Sequence, residues 1–315
     1  MHASAPAKII LFGEHAVVFE QPAIAVPVSS LRASVTVDPN PAGSSGLRIV
    51  ASDLNQTLPY DLVSQSIDNA LTLTVKLVLD HLGAEPPDVL LTVRSEIPVA
   101  SGLGSGAAVS TALARAISAA LGRSLDNPAL NAIVYEVEKV HHGTPSGIDN
   151  TVIVYEQPIY FIRGKPIETI AIGAPLSFVI ADTGQGALTR IAVGAVRDLY
   201  QSEPERIGSV IEAIGAISAQ ARSAIERGDA RELGALMCQN HALLQTLTVS
   251  SPELDVLVDA ALTAGALGAK LSGGGRGGNM IALVTPETQS RVEAALRNAG
   301  AARVISTIVQ EEHRR

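Results

Sequence analysis

Pro98-Val-Ala-Ser-Gly-Leu-Gly-Ser-Gly-Ala-Ala108 stands between an apolar segment, Val89 to Ile97, that reads as a strand and a small, apolar segment, Ala107 to Leu121, that reads as a helix with Arg115 on its wet side. A glycine-rich bend that empties into a helix leaves several backbone N–H groups unpaired and pointing one way. With the helix dipole they make a site for an anion, most often phosphate. A turn that only needs small residues has the same composition, so the rest of the chain has to decide.

Upstream, residues 1 to 50 alternate apolar runs with turn residues. They predict short strands at Lys8 to Phe12, Ala16 to Phe19, Ala23 to Val28 and Ala33 to Val37, then Leu47 to Val50. Apolar residues at helical spacing predict a helix from about Asp61 to Leu82. Downstream, Asp126-Asn-Pro128 starts a helix that runs to about His142, with Asp126 or Asn127 as its cap. The turn cluster Gly143 to Asn150 leads to predicted strands at Thr151 to Tyr155 and Ile159 to Ile162, and the organisation changes between Gly164 and Pro175. The second half predicts a strand at Leu176 to Ala181 and helices near Arg190 to Tyr200, Ile207 to Arg227, Ala230 to Thr246 and Pro252 to Ala264. The glycine-rich run to Met280 follows, then strand Ile281 to Val284, helix Glu287 to Asn298 and strand Ala302 to Val309. Segregated strands and helices in this order indicate an α+β fold with layered sheets, not a doubly wound one. The expected domains are 1–170 and 171–315.

A chain of 315 residues, 47% apolar and 17% charged, is long enough for two folded domains and too apolar for disorder. Without tryptophan and with 3% aromatics, its core must be built from Ala, Val, Leu and Ile. No apolar run is long enough for a bilayer and no signal peptide is evident, so a soluble, cytoplasmic protein with no membrane partner is expected. Cys238 is alone, which excludes an internal disulfide. A net charge of −8 with no basic block argues against nucleic acid as a partner.

Two glycine patterns imitate a dinucleotide fingerprint. Gly102 to Ala107 fits G-x-G-x-x-A but is not followed by the acid-bearing strand such a site needs, and Gly273 to Gly278 runs into a strand where a helix is required. No Walker loop occurs. His141 and His142 are helix neighbours facing different ways, so they cannot chelate one ion, and no cysteine pair or H-E-x-x-H pattern offers a zinc site.

The polar residues set in small or apolar surroundings are Lys8, Glu14, His15, Glu138, Ser146 and Asp149. Singly, each has a plain alternative: a solvated strand end for Lys8, an idle turn for Glu14 and His15, a helix surface for Glu138, an Asx turn for Asp149. Together, Ser4 to Val18, Pro98 to Ala108, Glu138 to Asn150 and Lys270 to Gly278 resemble the four ordered motifs of the small-molecule kinases that include galactokinase, homoserine kinase, mevalonate kinase and phosphomevalonate kinase. Gly13-Glu-His-Ala-Val-Val18 and His142-Gly-Thr-Pro-Ser-Gly-Ile-Asp-Asn150 resemble the mevalonate kinase branch in particular. Galactokinases usually continue differently after Glu-His, and phosphomevalonate kinases tend to carry Tyr at the place of His15.

The resemblance implies an N-terminal ribosomal-protein-S5-like α/β domain and a C-terminal ferredoxin-like α+β domain. It implies ATP- and Mg²⁺-dependent phosphorylation of the primary alcohol of mevalonate, and it suggests a homodimer. By the same resemblance Asp149 is the catalytic aspartate and Lys8 the lysine paired with it. Pro98, Ser101, Gly102, Leu103, Gly104, Ser105, Gly106, Ala107 and Ala108 form the phosphate cradle, and Gly274 and Gly275 close over it. Ser105 and Glu138 are the Mg²⁺ ligands, and Glu14, His15, Ser146 and Thr189 surround the substrate. This chain departs from the pattern at Ala7, at Gly106 in place of a second serine, at Arg276 and Asn279 in an otherwise glycine loop, and at Ala187 where animal enzymes carry arginine. A sister kinase acting on another alcohol or on phosphomevalonate, and a silent ligand-binding protein with this fold, are the alternatives. Retention of Lys8, Glu138 and Asp149 together speaks against the second.

Overall fold

The computed structural model describes residues 1–51, 56–59, 69–98, 101–142, 145–186 and 189–311. Strand β1 (His2–Phe12) is buried continuously from Ala5 to Phe12, as its apolar run requires. The chain turns at Gly13, with φ at 89°, where a Cβ would lie 2.5 Å from Ala23. Ala16–Phe19 is a 3₁₀ turn and not the predicted strand. His15 and Glu20, both with φ of 61°, flank it at positive φ, which interrupts an extended segment. Strand β2 (Ala23–Asp38) merges two predicted strands, and β3 (Arg48–Ala51) and β4 (Gln56–Pro59) follow.

Helix α1 (Ala70–Leu82) is capped by the Asn69 side chain, which accepts from the Leu71 N–H at 2.9 Å. The helical start expected at Asp61 lies outside the described residues. After β5 (Leu90–Ser95) come α2 (Ser105–Ala120) and α3 (Asn127–His142), the latter capped by Asp126, which accepts from Ala129 N at 2.8 Å. Where the sequence predicted a strand at Thr151 to Tyr155, the structure has helix α4 (Ile148–Tyr155). The run Thr-Val-Ile-Val-Tyr favours a strand intrinsically, but six of the eight residues are buried. The Thr151 hydroxyl also donates back to Gly147 O at 2.6 Å, so packing overrides propensity. Two short strands follow, β6 (Ile159–Phe161) and β7 (Glu168–Thr169).

The remainder runs β8 (Leu176–Asp182), α5 (Thr189–Ser202), α6 (Pro204–Arg227), α7 (Ala230–Thr246), α8 (Pro252–Thr263), β9 (Gly268–Ser272), β10 (Asn279–Val284), α9 (Pro286–Asn298) and β11 (Arg303–Val309). Among the described residues no helix is long and apolar enough to cross a membrane.

The chain divides into two compact units. The first comprises Met1–Ala7, Leu31–Val99 and Gly104–Glu156. In it Ala33–Asp38 of β2 pair antiparallel with β5, β3 pairs parallel with β5, and β4 pairs antiparallel with β3. Helices α1, α2 and α3 pack on one another, α4 packs on α2 and α3, and α2 also touches β5. Arg115 is not on a wet face. Its guanidinium is half-buried, donates to Ser4 O at 2.8 Å and Val154 O at 2.9 Å, and pairs with Glu156, which also receives Arg32 at 2.9 Å. A charge expected to be solvated instead ties α2 to the end of α4.

The second unit comprises Lys8–Ser30, Ala100–Leu103 and Gln157–Arg315. Its antiparallel sheet has the spatial order β11-β8-β10-β9. In chain order these are strands 4-1-3-2, the ferredoxin-like arrangement. Alternate residues Val179, Ala181, Ala269, Leu271, Met280 and Ala282 share one core with Ile207, Ile211, Ile214, Leu244, Leu254 and Leu257 from the helices. This is the two-residue period of a sheet meeting amphipathic helices. Edge strand β9 is covered by α7. The approach is close because Gly234 faces Gly268: a Cβ on Gly234 would lie 2.3 Å from Leu267 O.

Candidate active site

In the first unit, α2 begins at Gly104, which is left-handed with φ at 77° and provides no side-chain cap. The first helical bond is Ala108 N to Gly104 O at 2.9 Å, so the N–H groups of Ser105, Gly106 and Ala107 lie ahead of the intrahelical ladder. No acidic side chain occupies the first turn. The start of α2 is therefore an uncapped, partially positive helix end of the kind that binds phosphate. Ala107 and Ala108 are buried behind it, Ser105 and Pro98 are half-buried, and Gly106 is exposed.

Glu138 is not a helix-surface residue but is 3% exposed. It faces α2 so closely that a Cβ on Gly106 would come within 3.0 Å of its Oε1. Two turns earlier on the same face of α3, Asn131 accepts from the Asn150 side chain at 2.6 Å and donates to Thr151 Oγ1 at 3.2 Å. That pair pins α4. Asp149 thereby sits half-buried in the first turn of a helix, between buried Ile148 and Asn150, and not in a turn before a strand. The dipole of α4 favours a carboxylate there. Ser146 holds the approach, its Oγ accepting from Ile148 N at 3.4 Å.

In the second unit, Lys8 is 2% exposed, with its backbone N–H on Leu103 O at 3.0 Å. Ser101 is buried and its carbonyl accepts from the Asn279 side chain. Gly273 lies alongside, since its Cβ would be 3.9 Å from Gly102 O. Lys8 within β1 and Asn279 at the start of β10 thus hold Leu103 and Ser101, and Asn279 is a departure from the family's glycine loop. Thr189 lies against that loop: a Cβ on Gly274 would be 2.7 Å from its Oγ1. Gly275 packs on Val249 O. Arg276 is exposed in a left-handed conformation with φ at 56°, its N–H on Val249 O at 2.7 Å.

Glu14 and His15 are both buried. The Glu14 Oε1 atom receives Lys270 Nζ, which also donates to Leu271 O at 2.6 Å, and Glu14 and Lys270 side chains are both fully buried. Burial pushes the Glu14 carboxyl above its usual range while Lys270 and Lys8 pull it back. Burial likewise lowers Lys270 against the pull of Glu14. His15 Nε2 lies 2.9 Å from Gly274 O. A carbonyl only accepts, so Nε2 carries the proton. Burial lowers the His15 pKa to about 4, with Arg276 and Lys270 adding to it, so the ring is neutral and Nδ1 is bare.

Sequence reasoning did not assign roles to Lys270, Ser272 or His241. Ser272 Oγ donates to Ile10 O at 2.9 Å, and His241 Nδ1 accepts from Leu271 N at 3.3 Å while its Nε2–H meets Asp255 at 3.1 Å. Lys270 stands among small and apolar residues as Lys8 does, but nothing local marks it as buried, which only the structure shows.

The donors suit a magnesium nucleotide. A carboxylate and a hydroxyl at the bare end of α2 are hard oxygen ligands, and Mg²⁺ characteristically takes one or two protein ligands and completes its shell with phosphate and water. Among the described residues no cluster of three or more His, Cys, Asp or Glu forms a closed metal cage.

Residues 69–157 match the family model for the GHMP kinases N terminal domain and residues 221–302 that for GHMP kinases C terminal. A mevalonate kinase from Thermococcus gammatolerans is 37% identical, with 98% of this chain and 96% of that protein covered. One from Aeropyrum pernix is 36% identical over 89% of this chain and 87% of its own. Among solved structures, the L. major mevalonate kinase in complex with R-mevalonate superposes with a TM-score of 0.84 at 30% identity, covering 99% of this chain and 96% of that one. The chain belongs to the GHMP kinases, and within them to the family of the mevalonate kinases.

Proposed function

We infer that this protein transfers the γ-phosphoryl group of ATP to the primary alcohol of mevalonate, giving 5-phosphomevalonate and ADP. The observation that carries the reading is the junction of the first and last motifs. Glu14 meets Lys270 across 256 residues and His15 meets Gly274 across 259, so the two signatures form one buried polar cluster.

In this reading the N–H groups at the start of α2, with Ser101 to Leu103 before them, receive the nucleotide phosphates. Residues 1–170 carry that cradle with Lys8 and Asp149, and residues 171–315 supply the closing loop at Gly274 and Gly275. Glu138 and Ser105 would hold Mg²⁺, which when bound offsets phosphate charge. Asp149 accepts or orients the proton of the substrate's primary hydroxyl as that oxygen bonds to the γ-phosphorus and the bond to the β–γ bridging oxygen breaks. Lys8 offsets charge on the transferring group. Such transfer depends chiefly on positioning and electrostatics, which is why buried Lys8, Glu14 and Glu138 support the reading better than any one motif. Glu14, His15, Ser146 and Thr189 are the proposed substrate contacts. A coupled ADP-release assay on mevalonate, homoserine, galactose and phosphomevalonate tests it. Turnover of mevalonate alone is expected, and turnover of any of the others with none on mevalonate overturns the reading.

A further inference from the structure

Glu14 and His15 share an unusual feature. Each has one polar atom anchored, Glu14 Oε1 by Lys270 and His15 Nε2 by Gly274, and each has a second, buried atom with no hydrogen-bond partner among the described residues: Glu14 Oε2 and His15 Nδ1. Buried polar atoms are seldom left unsatisfied, so two of them on consecutive residues ask for a ligand. Both are acceptors. Nδ1 is bare because the proton is fixed on Nε2, and a carboxylate oxygen only accepts. Acceptors on consecutive residues disfavour a carboxylate and bind a group that donates, namely a hydroxyl.

We propose that Lys270 is a positioning residue which keeps Glu14 ionised and oriented, so that Glu14 Oε2 and His15 Nδ1 together read a hydroxyl of the substrate and not its carboxylate. Lys270 is itself held. Its Nζ bonds Leu271 O, and the N–H of Leu271 bonds His241 Nδ1, whose Nε2–H is set by Asp255. This chain fixes the ammonium from behind, on edge strand β9 under α7. Among the described residues the charged groups that act on Glu14 are Lys270 and Lys8 of β1, those on His15 are Arg276 of the glycine loop and Lys270, and those on His241 of α7 are Lys270 with Asp255 and Asp259 of α8. Among the described residues it is the Lys270 ammonium that bonds the Glu14 carboxyl, so Lys270 is the chief counterweight to the burial that would neutralise it. With Lys270 gone, burial drives Glu14 to take up a proton, and the protonated oxygen ceases to be a free acceptor.

The proposal rests on mevalonate being the substrate, and the test separates the two. Steady-state kinetics with mevalonate and ATP are measured from pH 6 to 9.5 for the wild type, Lys270→Met, Glu14→Gln and the double variant. In Lys270→Met the KM for mevalonate at pH 7 is expected to rise about 10- to 100-fold, the loss of a hydrogen bond to a charged group, and to recover as pH rises. The KM for ATP stays within about threefold, since loss of one substrate contact leaves the nucleotide contacts in place. In the double variant the KM for mevalonate is raised but flat with pH. A Lys270→Met enzyme that is merely less stable, with wild-type KM and a flat profile, overturns the role of Lys270. A wild type inactive on mevalonate overturns the functional reading instead. If Lys270→Met does not fold, the ¹³C signal of the Glu14 carboxyl in the wild type decides: ionised across pH 6 to 9 and shifted by mevalonate supports the proposal, protonated at pH 7 overturns it.

Discussion

Gly106→Ala sets two opposing effects against each other at one of the positions where the chain departs from the family's motifs. The residue is in the first turn of α2 with no positive φ, so alanine is not strained there, and it should gain up to about 1 kcal/mol from helix propensity and a stiffer unfolded chain. Against this, the new Cβ would stand 3.0 Å from Glu138 Oε1, a few tenths of an ångström too close. Glu138 is 3% exposed, so its carboxylate can retreat only by leaving its rotamer well, at a cost of about 0.5–1.5 kcal/mol. Net stability should therefore change by less than about 1 kcal/mol, a shift of no more than about 3 °C in melting temperature. Activity should not be neutral. Misplacing a reacting group by an ångström costs about 100-fold, so a displacement of a few tenths should lower kcat/KM by about 3- to 10-fold. The loss should appear chiefly as a higher Mg²⁺ requirement. The assay is ADP release titrated with Mg²⁺, beside a thermal melt. Wild-type Mg²⁺ dependence in a stable Gly106→Ala protein would refute the placement of Glu138 at the metal. A destabilisation above about 3 kcal/mol would show that the carboxylate cannot move and that the two terms were weighed wrongly.

Asp149→Asn should cut turnover by about 10³-fold or more with ATP affinity nearly intact, since the amide cannot take the proton, and fluorescence-detected nucleotide binding beside the coupled assay checks both halves. Stability should depend on pH through His15. Its folded pKa of about 4 lies below the unfolded 6.5, so the unfolded chain binds more protons between those values; stability is full above about pH 6.5 and falls as pH drops toward 4. The loss is on the order of 3 kcal/mol, reinforced by His241, which burial also lowers, and urea titrations at pH 7.5 and 5 should show a smaller difference in His15→Gln. Gly234→Ala should destabilise by about 2–3 kcal/mol by driving α7 off β9, with a matching fall in the denaturation midpoint at unchanged slope.

Much of the second unit was legible because its helices are long and amphipathic: Ala230–Thr246 was read to the residue, and β8 and β11 to within one. What failed was short and apolar. Ala16–Phe19 and Thr151 to Tyr155 both read as strands from β-branched and aromatic content, and in both the deciding information lies elsewhere. In the first it is two residues at positive φ, and in the second the Asn131 contact 20 residues upstream. Arg115 was misjudged for a related reason. A charge on an apolar helix looks solvated until its partner, Glu156, is known to be 41 residues on and near the same spot.

The site shows the same division between local and distant information. The bare start of α2 is local, and the glycine spacing suggested it, although a plain turn of small residues has the same composition. The state of Glu14 could not be inferred locally, because an isolated Glu-His pair after a glycine is indifferent between an idle turn and a buried cluster. Its meaning comes from Lys270, which in turn looks like a solvated residue of an alternating strand until β9 is seen to be buried at every position. Each of these charges is unintelligible without the other, and removing one leaves the second costly to bury. In this chain the first and last motifs are thus coupled by a buried ion pair and by the His15–Gly274 bond. A chain relieved of catalysis would have had a simpler course open to it, two apolar residues of similar volume, which commonly stabilise a protein more than a buried ion pair does. Keeping the pair is the behaviour of a protein that still uses Glu14 as a charge.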